Sequence, residues 1–398
     1  MKKIIPYGKH DITEEDINAV VNILKGDFLT QGPTILEFEK AFANYVGSKF
    51  AVAVSNATAA LHLSTLALNV NQNQKVITTP ITFVASANCV EYCGGEICFV
   101  DIDPKTYLID YDSVQNLLSK SPKATYSGLI LVDFAGKSVN LEKFRNLANE
   151  YNLWIIEDAC HAPGAYFYDS QGISQNCGNG NFADLSIFSF HPVKHIACGE
   201  GGMITTNSEE LYKKLLKLRT HGITKLSDEF TNSIHISEGH TQKSNSNNYP
   251  NWYMEMQTLG YNYRLTDFQA ALGLSQLKKA NNGIEKRREI AKYYNDKFTN
   301  KNYILNHSEY IEGHAYHLYI IEVEDRLGLY NYLKDNGILA QVHYFPIHLM
   351  PYYKKKNLSY SLPNSEKYYQ RCLSLPMYPS LSNQDQDFVI DSITKYYV

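Results

Sequence analysis

Between residues 50 and 206 short apolar runs alternate with stretches of helical periodicity. The runs cover residues 50–54, 75–79, 97–100, 129–132, 153–156, 185–190 and 203–205. Several consecutive buried-type residues in each predict central strands covered on both faces. Strand–helix alternation of this kind predicts a mainly parallel α/β sheet. Ahead of it, Ile17, Val20, Val21 and Leu24 fall at helical spacing behind Thr13, an N-cap followed by Glu14-Glu15-Asp16, and Gly26 ends that helix. A second helix opens near Pro33 and stops at Gly47, with Ile35, Phe38, Phe42 and Tyr45 on one face.

Residues 225–251 turn polar and rich in Ser and Asn, ending Asn245-Ser246-Asn247-Asn248, and predict a loop or mobile insertion without regular structure. Helical patterns return over about 265–279 and 284–298. A strand over 316–323, a helix to Asn336-Gly337, a strand over 338–343 and a last helix opening at Ser382 follow, with Asp385 placed close to a capping box. The chain therefore divides, on this pattern, into a large α/β domain over 1–250, including the insertion, and linker helices with a small α+β domain over 251–398. No internal repeat of fixed period is visible.

Composition narrows the setting. The 398 residues are 44% hydrophobic and 20% charged, enough for a sizeable core. A net charge of −4 with no basic block gives a nucleic-acid partner no electrostatic support. The apolar run at the start is too short for a signal peptide, and no stretch reaches the length of a membrane span. Seven cysteines without a CxxC pair fit free thiols in a reducing compartment. A soluble cytoplasmic protein is expected.

Three local features carry chemistry. Ser55-Asn56-Ala57-Thr58-Ala59-Ala60-Leu61 is a turn of small and capping residues between a strand and a helix; it either caps that helix or cradles a phosphate on its free N–H groups. Glu157-Asp158 closes a buried strand, where ligands of open α/β sheets sit. A carboxylate there caps the next segment or holds a ring nitrogen protonated. Lys194, in Ser189-Phe190-His191-Pro192-Val193-Lys194-His195, lies just beyond a strand end with no neighbouring acid. A desolvated amine in such a place has a lowered pKa and attacks carbonyls. Gly199-Glu200-Gly201-Gly202 after it allows close backbone approach.

Two other chemistries find less support. His191 and His195 have the spacing of a zinc helix, but Pro192 stands where the glutamate is needed and disrupts the helix. His343 and His348 point apart in an extended stretch, and Cys89 with Cys93 suit a core face, so no metal is expected. Gly178-Asn179-Gly180-Asn181-Phe182-Ala183 spells GxGxxA without the strand–turn–helix context that dinucleotide binding requires.

Together the three features resemble one family, the DegT/DnrJ/EryC1/StrS sugar aminotransferases. These are fold-type-I pyridoxal-phosphate enzymes of the aspartate aminotransferase-like fold. The likeness runs from Leu29-Thr30-Gln31-Gly32-Pro33 to near the C-terminus, with residues 225–251 unplaced. It implies that Lys194 bonds covalently to pyridoxal 5′-phosphate and later moves protons, and that Asp158 pairs with the pyridine nitrogen. It implies that His161 lies near the phenolic oxygen, that Phe83 stacks on the ring, and that Thr58, Ala59 and Ser189 hold the phosphate. Asn262, in Gly260-Tyr261-Asn262-Tyr263-Arg264-Leu265, matches a residue reaching the phosphate in the neighbouring subunit, which implies a homodimer with shared sites.

The resemblance also narrows the substrate. Ser-Phe-His before the lysine looks like members that aminate sugar carbon 4, whereas carbon-3 members tend to carry Tyr at the place of His191. The strings Phe134-Ala135-Gly136-Lys137-Ser138-Val139, Leu274-Ser275-Gln276-Leu277-Lys278-Lys279 and Ile338-Leu339-Ala340-Gln341-Val342-His343-Tyr344 are similar to the branch acting in pseudaminic acid biosynthesis. The reaction so implied is a ping-pong exchange: L-glutamate leaves as 2-oxoglutarate, and a UDP-linked 4-keto-6-deoxy sugar receives the amino group. Cys198 and the polar insertion depart from the family's pattern. A dehydratase on this scaffold carries His in place of the lysine, and a non-catalytic binding protein has no need of Lys194, Asp158 and the cradle together.

Overall fold

The seven apolar runs pair into one sheet. In this computed structural model, which describes residues 3–239, 248–356 and 360–398, the strands are β1 (Phe50–Val54), β2 (Lys75–Thr78), β3 (Glu96–Phe99), β4 (Gly128–Val132), β5 (Trp154–Asp158), β6 (Leu185–Ser189) and β7 (Gly202–Thr206). Their spatial order is β1-β7-β6-β5-β4-β2-β3. Every neighbouring pair is parallel except the two made by β7, which runs antiparallel to β1 and β6. Each predicted run is present, with ends shifted by a residue or two.

Alternation along the strands divides the core into two layers. Leu129, Leu131 and Ile155 pack with Val114, Leu118, Phe144 and Leu147 of helices Tyr111–Lys120 and Leu141–Tyr151. Ile130, Ile156 and Ile187 face the opposite way, onto α1 (Ala57–Ala67), α2 (Ala85–Tyr92) and α3 (Glu209–Arg219). Helices on both faces leave only the strand ends open to a ligand.

A smaller unit is built on a three-stranded antiparallel sheet, β8 (Asn306–His307), β9 (Tyr319–Glu322) and β10 (Cys372–Leu375). Helix α4 (Ala280–Phe298) and the last helix, Asn383–Tyr397, cover it through Tyr294, Phe298, Val389 and Ile393. The chain start departs from the division at residue 250. Ile5–Pro6 pairs in parallel with Ile338–Leu339, and Ile5 is buried in the small unit's core. On the other side of residue 250, Glu255–Met256 still pairs with Ile223–Thr224, and Asp267–Lys278 packs on the two N-terminal helices of the large unit.

Three expectations need correction. The strand over 316–323 shortens to Tyr319–Glu322, because Tyr316 turns with φ +46°. The strand over 338–343 keeps only Ile338–Leu339 as ladder, and beyond it Gln341 makes a single antiparallel bridge to Ser374 of β10. The insertion has more structure than its polarity implied: a short turn at Ser227–Glu229 and a one-turn helix at Ile234–Ser237. Buried Glu255 holds the backbone N–H groups of Thr231 and Asn232 at 2.8 and 2.9 Å, and Phe230 packs on Tyr249 and Tyr253. Residues 240–247 of that insertion lie outside the described residues. Among the described residues no helix is long and apolar enough to cross a membrane.

Candidate active site

Four segments converge at the carboxyl ends of the strands and line a cleft of about 750 Å³. Past β1, Ser55-Asn56 turns the chain into α1, and Asn56 Oδ1 accepts from the Ala59 N–H at 2.8 Å to cap the helix. Ala57, Thr58 and Ala59 open on the cleft, so the positive end of an eleven-residue helix faces it. This turn sits directly on β7. A Cβ on Gly202 would lie 2.6 Å from the Asn56 carbonyl carbon, so only glycine lets the strand pass beneath.

Asp158 closes β5 and is buried. Its Oδ2 accepts from Ser86 Oγ at 2.6 Å and its Oδ1 from the Cys160 N–H at 3.2 Å. Ser86 contacts Thr82 Oγ1 at 2.9 Å, so the hydroxyl that orients the carboxylate is itself held. Acting only as an acceptor, this group suits a protonated ring nitrogen.

Lys194 follows β6 in a turn closed by its own N–H on the His191 carbonyl at 2.8 Å. Among the described residues no carboxylate pairs with it, and Nζ lies 3.4 Å from His317 Nε2. Burial pushes the ammonium down to about 8, against the pull of Cys160 and Asp158 and with the repulsion of Arg287. An amine so placed is partly unprotonated near neutral pH.

His161 is buried, and its protonation pattern follows from one contact. The Ala135 backbone N–H donates to His161 Nδ1 at 3.2 Å, so the neutral ring carries its proton on Nε2, 3.3 Å from the Tyr344 hydroxyl. Burial, then the charge of Lys194, holds its pKa well below the usual histidine value. The ring is therefore a neutral N–H donor suited to an oxygen. Its face lies 4.3 Å from His317, centroid to centroid.

Lys194, Asp158, His161, Thr58, Ala59, Phe83 and Ser189 all line this one cleft. Phe83 presents an exposed ring beside Tyr344. Asn262 does not join them. It is exposed, on an antiparallel bridge to Thr220, while its neighbour Tyr263 reaches the cleft and contacts His62 Nδ1 at 3.2 Å. Sequence reasoning gave no role to Ser86, His317 and Tyr344, which lie in a helix and in two loops. His343 and His348 are held apart by Ser374 and Glu366, and His195 by the Ala315 carbonyl. The GxGxxA string forms a loop leading into β6.

Behind Asp158, on the opposite face of the sheet, lies a buried acid pair. Asp133, Glu157 and Cys177 bring ligand atoms within 4.8 Å of one another. Asp133 Oδ1 accepts from the Val139 N–H and Glu157 Oε2 from the Gly178 N–H, leaving Oδ2 and Oε1 without another partner. Burial raises both carboxyl groups, and the negative neighbour raises Asp133 further, so the pair shares a proton held on Asp133.

The cleft fits pyridoxal phosphate on its own features. A helix start suits the phosphate, Asp158 the ring nitrogen, the His161 N–H an oxygen, and a lysine of lowered pKa an aldehyde. Comparison with known proteins agrees. A UDP-4-amino-4,6-dideoxy-N-acetyl-β-L-altrosamine transaminase of Campylobacter jejuni is 36% identical, over 98% of this chain and 96% of that protein. The structure of Helicobacter pylori PseC, an aminotransferase involved in the biosynthesis of pseudoaminic acid, superposes with a TM-score of 0.83 at 31% identity, covering 99% of both chains. The PLP form of Spr1654 from Streptococcus pneumoniae, named for a sugar aminotransferase, gives 0.84 at 27% identity over 99% of this chain and 98% of that one. The DegT/DnrJ/EryC1/StrS aminotransferase family matches residues 10–394, and the chain belongs to it as a pyridoxal-phosphate-dependent sugar aminotransferase.

Proposed function

We propose that the enzyme moves the amino group of L-glutamate to carbon 4 of a UDP-linked 4-keto-6-deoxy sugar. The acceptor is UDP-2-acetamido-2,6-dideoxy-β-L-arabino-hexos-4-ulose and the product UDP-4-amino-4,6-dideoxy-N-acetyl-β-L-altrosamine, as in pseudaminic acid biosynthesis in the cytoplasm. The likeness to the Campylobacter transaminase and to PseC supports the substrate, and His191 ahead of Lys194 supports carbon 4. One observation carries the chemistry: Lys194, with its lowered pKa and, among the described residues, no acid partner, shares a cleft with Asp158 and the start of α1.

When bound, pyridoxal phosphate supplies an aldehyde carbon for amine exchange and a ring that takes up carbanion charge. Asp158 keeps the ring nitrogen protonated, with Ser86 fixing its direction. His161 would donate its Nε2 proton towards the phenolic oxygen, and Phe83 would cover one face of the ring. Thr58, Ala59 and Ser189 hold the phosphate. The Lys194 amine removes the α-proton of glutamate and, in the second half-reaction, runs the transfer in reverse at sugar carbon 4. Residues that would hold the phosphate and the ring in this cleft would leave the reacting carbon within reach of Nζ.

We also infer a homodimer in which Asn262 reaches the partner's phosphate site. Its exposure outside its own cleft supports this, as does a run of exposed apolar side chains beside it, including Trp252, 76% exposed, and Leu259, 72% exposed. The decisive test is mass spectrometry of products from L-glutamate and a panel of UDP- and dTDP-4-keto-6-deoxy sugars. The reading requires an amino product from the UDP-linked 4-keto acceptor. Products formed only from dTDP-linked sugars would overturn it.

A further inference from the structure

His317 Nε2 lies 3.4 Å from the Lys194 amine, and no role has yet been given to it. It comes from the loop ahead of β9 in the small unit, and that loop is pinned from two sides. The Ala315 N–H donates to the Gly136 carbonyl at 2.8 Å and the Leu318 N–H to the Ala135 carbonyl at 3.2 Å. From the other side Arg287 of α4, 1% exposed, gives Nη1 to the carbonyls of Tyr316 at 3.1 Å, His317 at 3.4 Å and Met377 at 2.8 Å. Among the described residues no carboxylate pairs with that guanidinium. A buried cation is costly, and here its hydrogen bonds fix one stretch of backbone. Gly136 has φ +97°, and a Cβ there would lie 2.9 and 3.0 Å from the nitrogens of Tyr316 and His317, so the two loops need glycine to meet.

The imidazole is thereby placed with Nε2 at 3.4 Å from Nζ and with Nδ1 lacking a partner among the described residues. The charged and titratable groups around it are Lys194, His161, His195 and Arg287, all cationic or neutral, and they and its burial keep the ring uncharged. Lys194 in addition faces Asp158 and Cys160. An ammonium has three donors and no acceptor, so whenever Nζ carries its extra proton the facing nitrogen must present a lone pair.

We propose that His317 is a further catalytic residue of this aminotransferase: a fixed neutral acceptor for the ammonium that forms on Lys194 when it takes a proton from carbon, with Arg287 as the residue that positions it. The inference rests on the reading of Lys194 as the proton-moving amine. In the step, the substrate C–H bond breaks, its electron pair stays with the carbon, and a new N–H bond forms on Nζ. The imidazole gains no proton; it accepts a hydrogen bond that becomes charge-assisted as the ammonium develops. Such a bond is stronger after proton uptake than before, so it lowers the barrier rather than merely holding the ground state. With one N–H directed at His317, the lone pair of the neutral amine is left for the cleft.

The test compares His317→Leu and His317→Gln with the parent in the full-length protein. Glutamine keeps an acceptor; leucine keeps only bulk. In cofactor-free protein, acetic anhydride labelling of Lys194 across pH, read by peptide mass spectrometry, gives the titration of the amine without turnover. The leucine variant should titrate about one unit lower than the parent, because the ammonium has lost its acceptor, and its single-turnover rate with glutamate should fall about tenfold. The glutamine variant should recover most of both. A leucine variant that titrates and turns over as the parent does overturns the proposal. So do equal losses in both variants accompanied by a drop in melting temperature, since packing alone would then explain them. Borohydride reduction of the cofactor-loaded parent separates the two layers: cofactor fixed at another residue removes the Lys194 reading and this inference with it, whereas cofactor fixed at Lys194 with unchanged variants removes only the inference.

Discussion

Ser86 Oγ donates to Asp158 Oδ2 across 2.6 Å, and this bond joins the start of the helix after β2 to the end of β5. Without it the carboxylate would keep only the Cys160 N–H, at 3.2 Å, to hold it towards the ring nitrogen. Ser86→Ala should weaken cofactor binding about tenfold, the worth of one hydrogen bond to a charged group, ~1.5 kcal/mol. Absorbance titration with pyridoxal phosphate measures it. An affinity equal to the parent's would show that the Cys160 N–H suffices.

The phosphate cradle depends on a residue that never touches the phosphate. Gly202→Ala sets a methyl group against the backbone of Asn56 and must push the helix start away from β7. Cofactor affinity should therefore fall by more than tenfold while secondary structure by circular dichroism stays near that of the parent. Retained affinity would mean that the turn moves without cost.

The acid pair behind Asp158 gives a pH signature. Its carboxyl groups are raised above their unfolded values, so the folded chain holds the shared proton more tightly. That stability is complete below the unfolded carboxyl pKa, about 4, and is lost as pH rises through the raised folded value. Asp133→Asn keeps a donor to Glu157 that cannot ionise. Its melting temperature should gain on the parent's as pH increases, and a gap that is constant with pH would refute the shared proton.

Lys194 supplies a second pH prediction, for rate rather than stability. Only the neutral amine accepts a proton, and it becomes dominant above about 8. The rate of the glutamate half-reaction in single-turnover experiments should climb as pH passes from 7 towards 9 and then level. A rate already flat below pH 7 would mean that another base does the work.

Asn262 tests the shared site. Lys194→Ala and Asn262→Ala proteins should each be weak or inactive alone. Mixed after unfolding and refolding together, they should regain part of the activity, because some mixed dimers hold one site with both residues intact. No recovery beyond the sum of the two would argue that each chain works alone.

The seven strands of the large sheet were legible because each is a short, nearly unbroken apolar run, the mark of burial on both faces. The cleft residues that follow strand ends were legible for a related reason: strand, turn and helix are contiguous, so Asp158 and Lys194 stand next to signals that sequence displays. Ser86 and His317 lacked that help. One lies in a helix among other small polar residues, and the other depends on Arg287 and Gly136, which lie 30 and 181 positions away in sequence. The insertion misled through composition, since one buried glutamate, Glu255, organises backbone that reads as loop. The small unit's strands are two to four residues long, too short for periodicity to mark their ends.

The pairing of Ile5–Pro6 with Ile338–Leu339 sets an order of assembly. During translation the first strand leaves the ribosome roughly half a minute before its partner at ~10 residues per second. Through that interval Ile5 has no sheet to join, and Tyr7, which lines the cleft, has no fixed place. The small unit's edge and one wall of the cleft are thus completed together, after all the strands of the central sheet have been made, so a nascent chain halted before residue 338 has the strands of that sheet but no finished catalytic chamber.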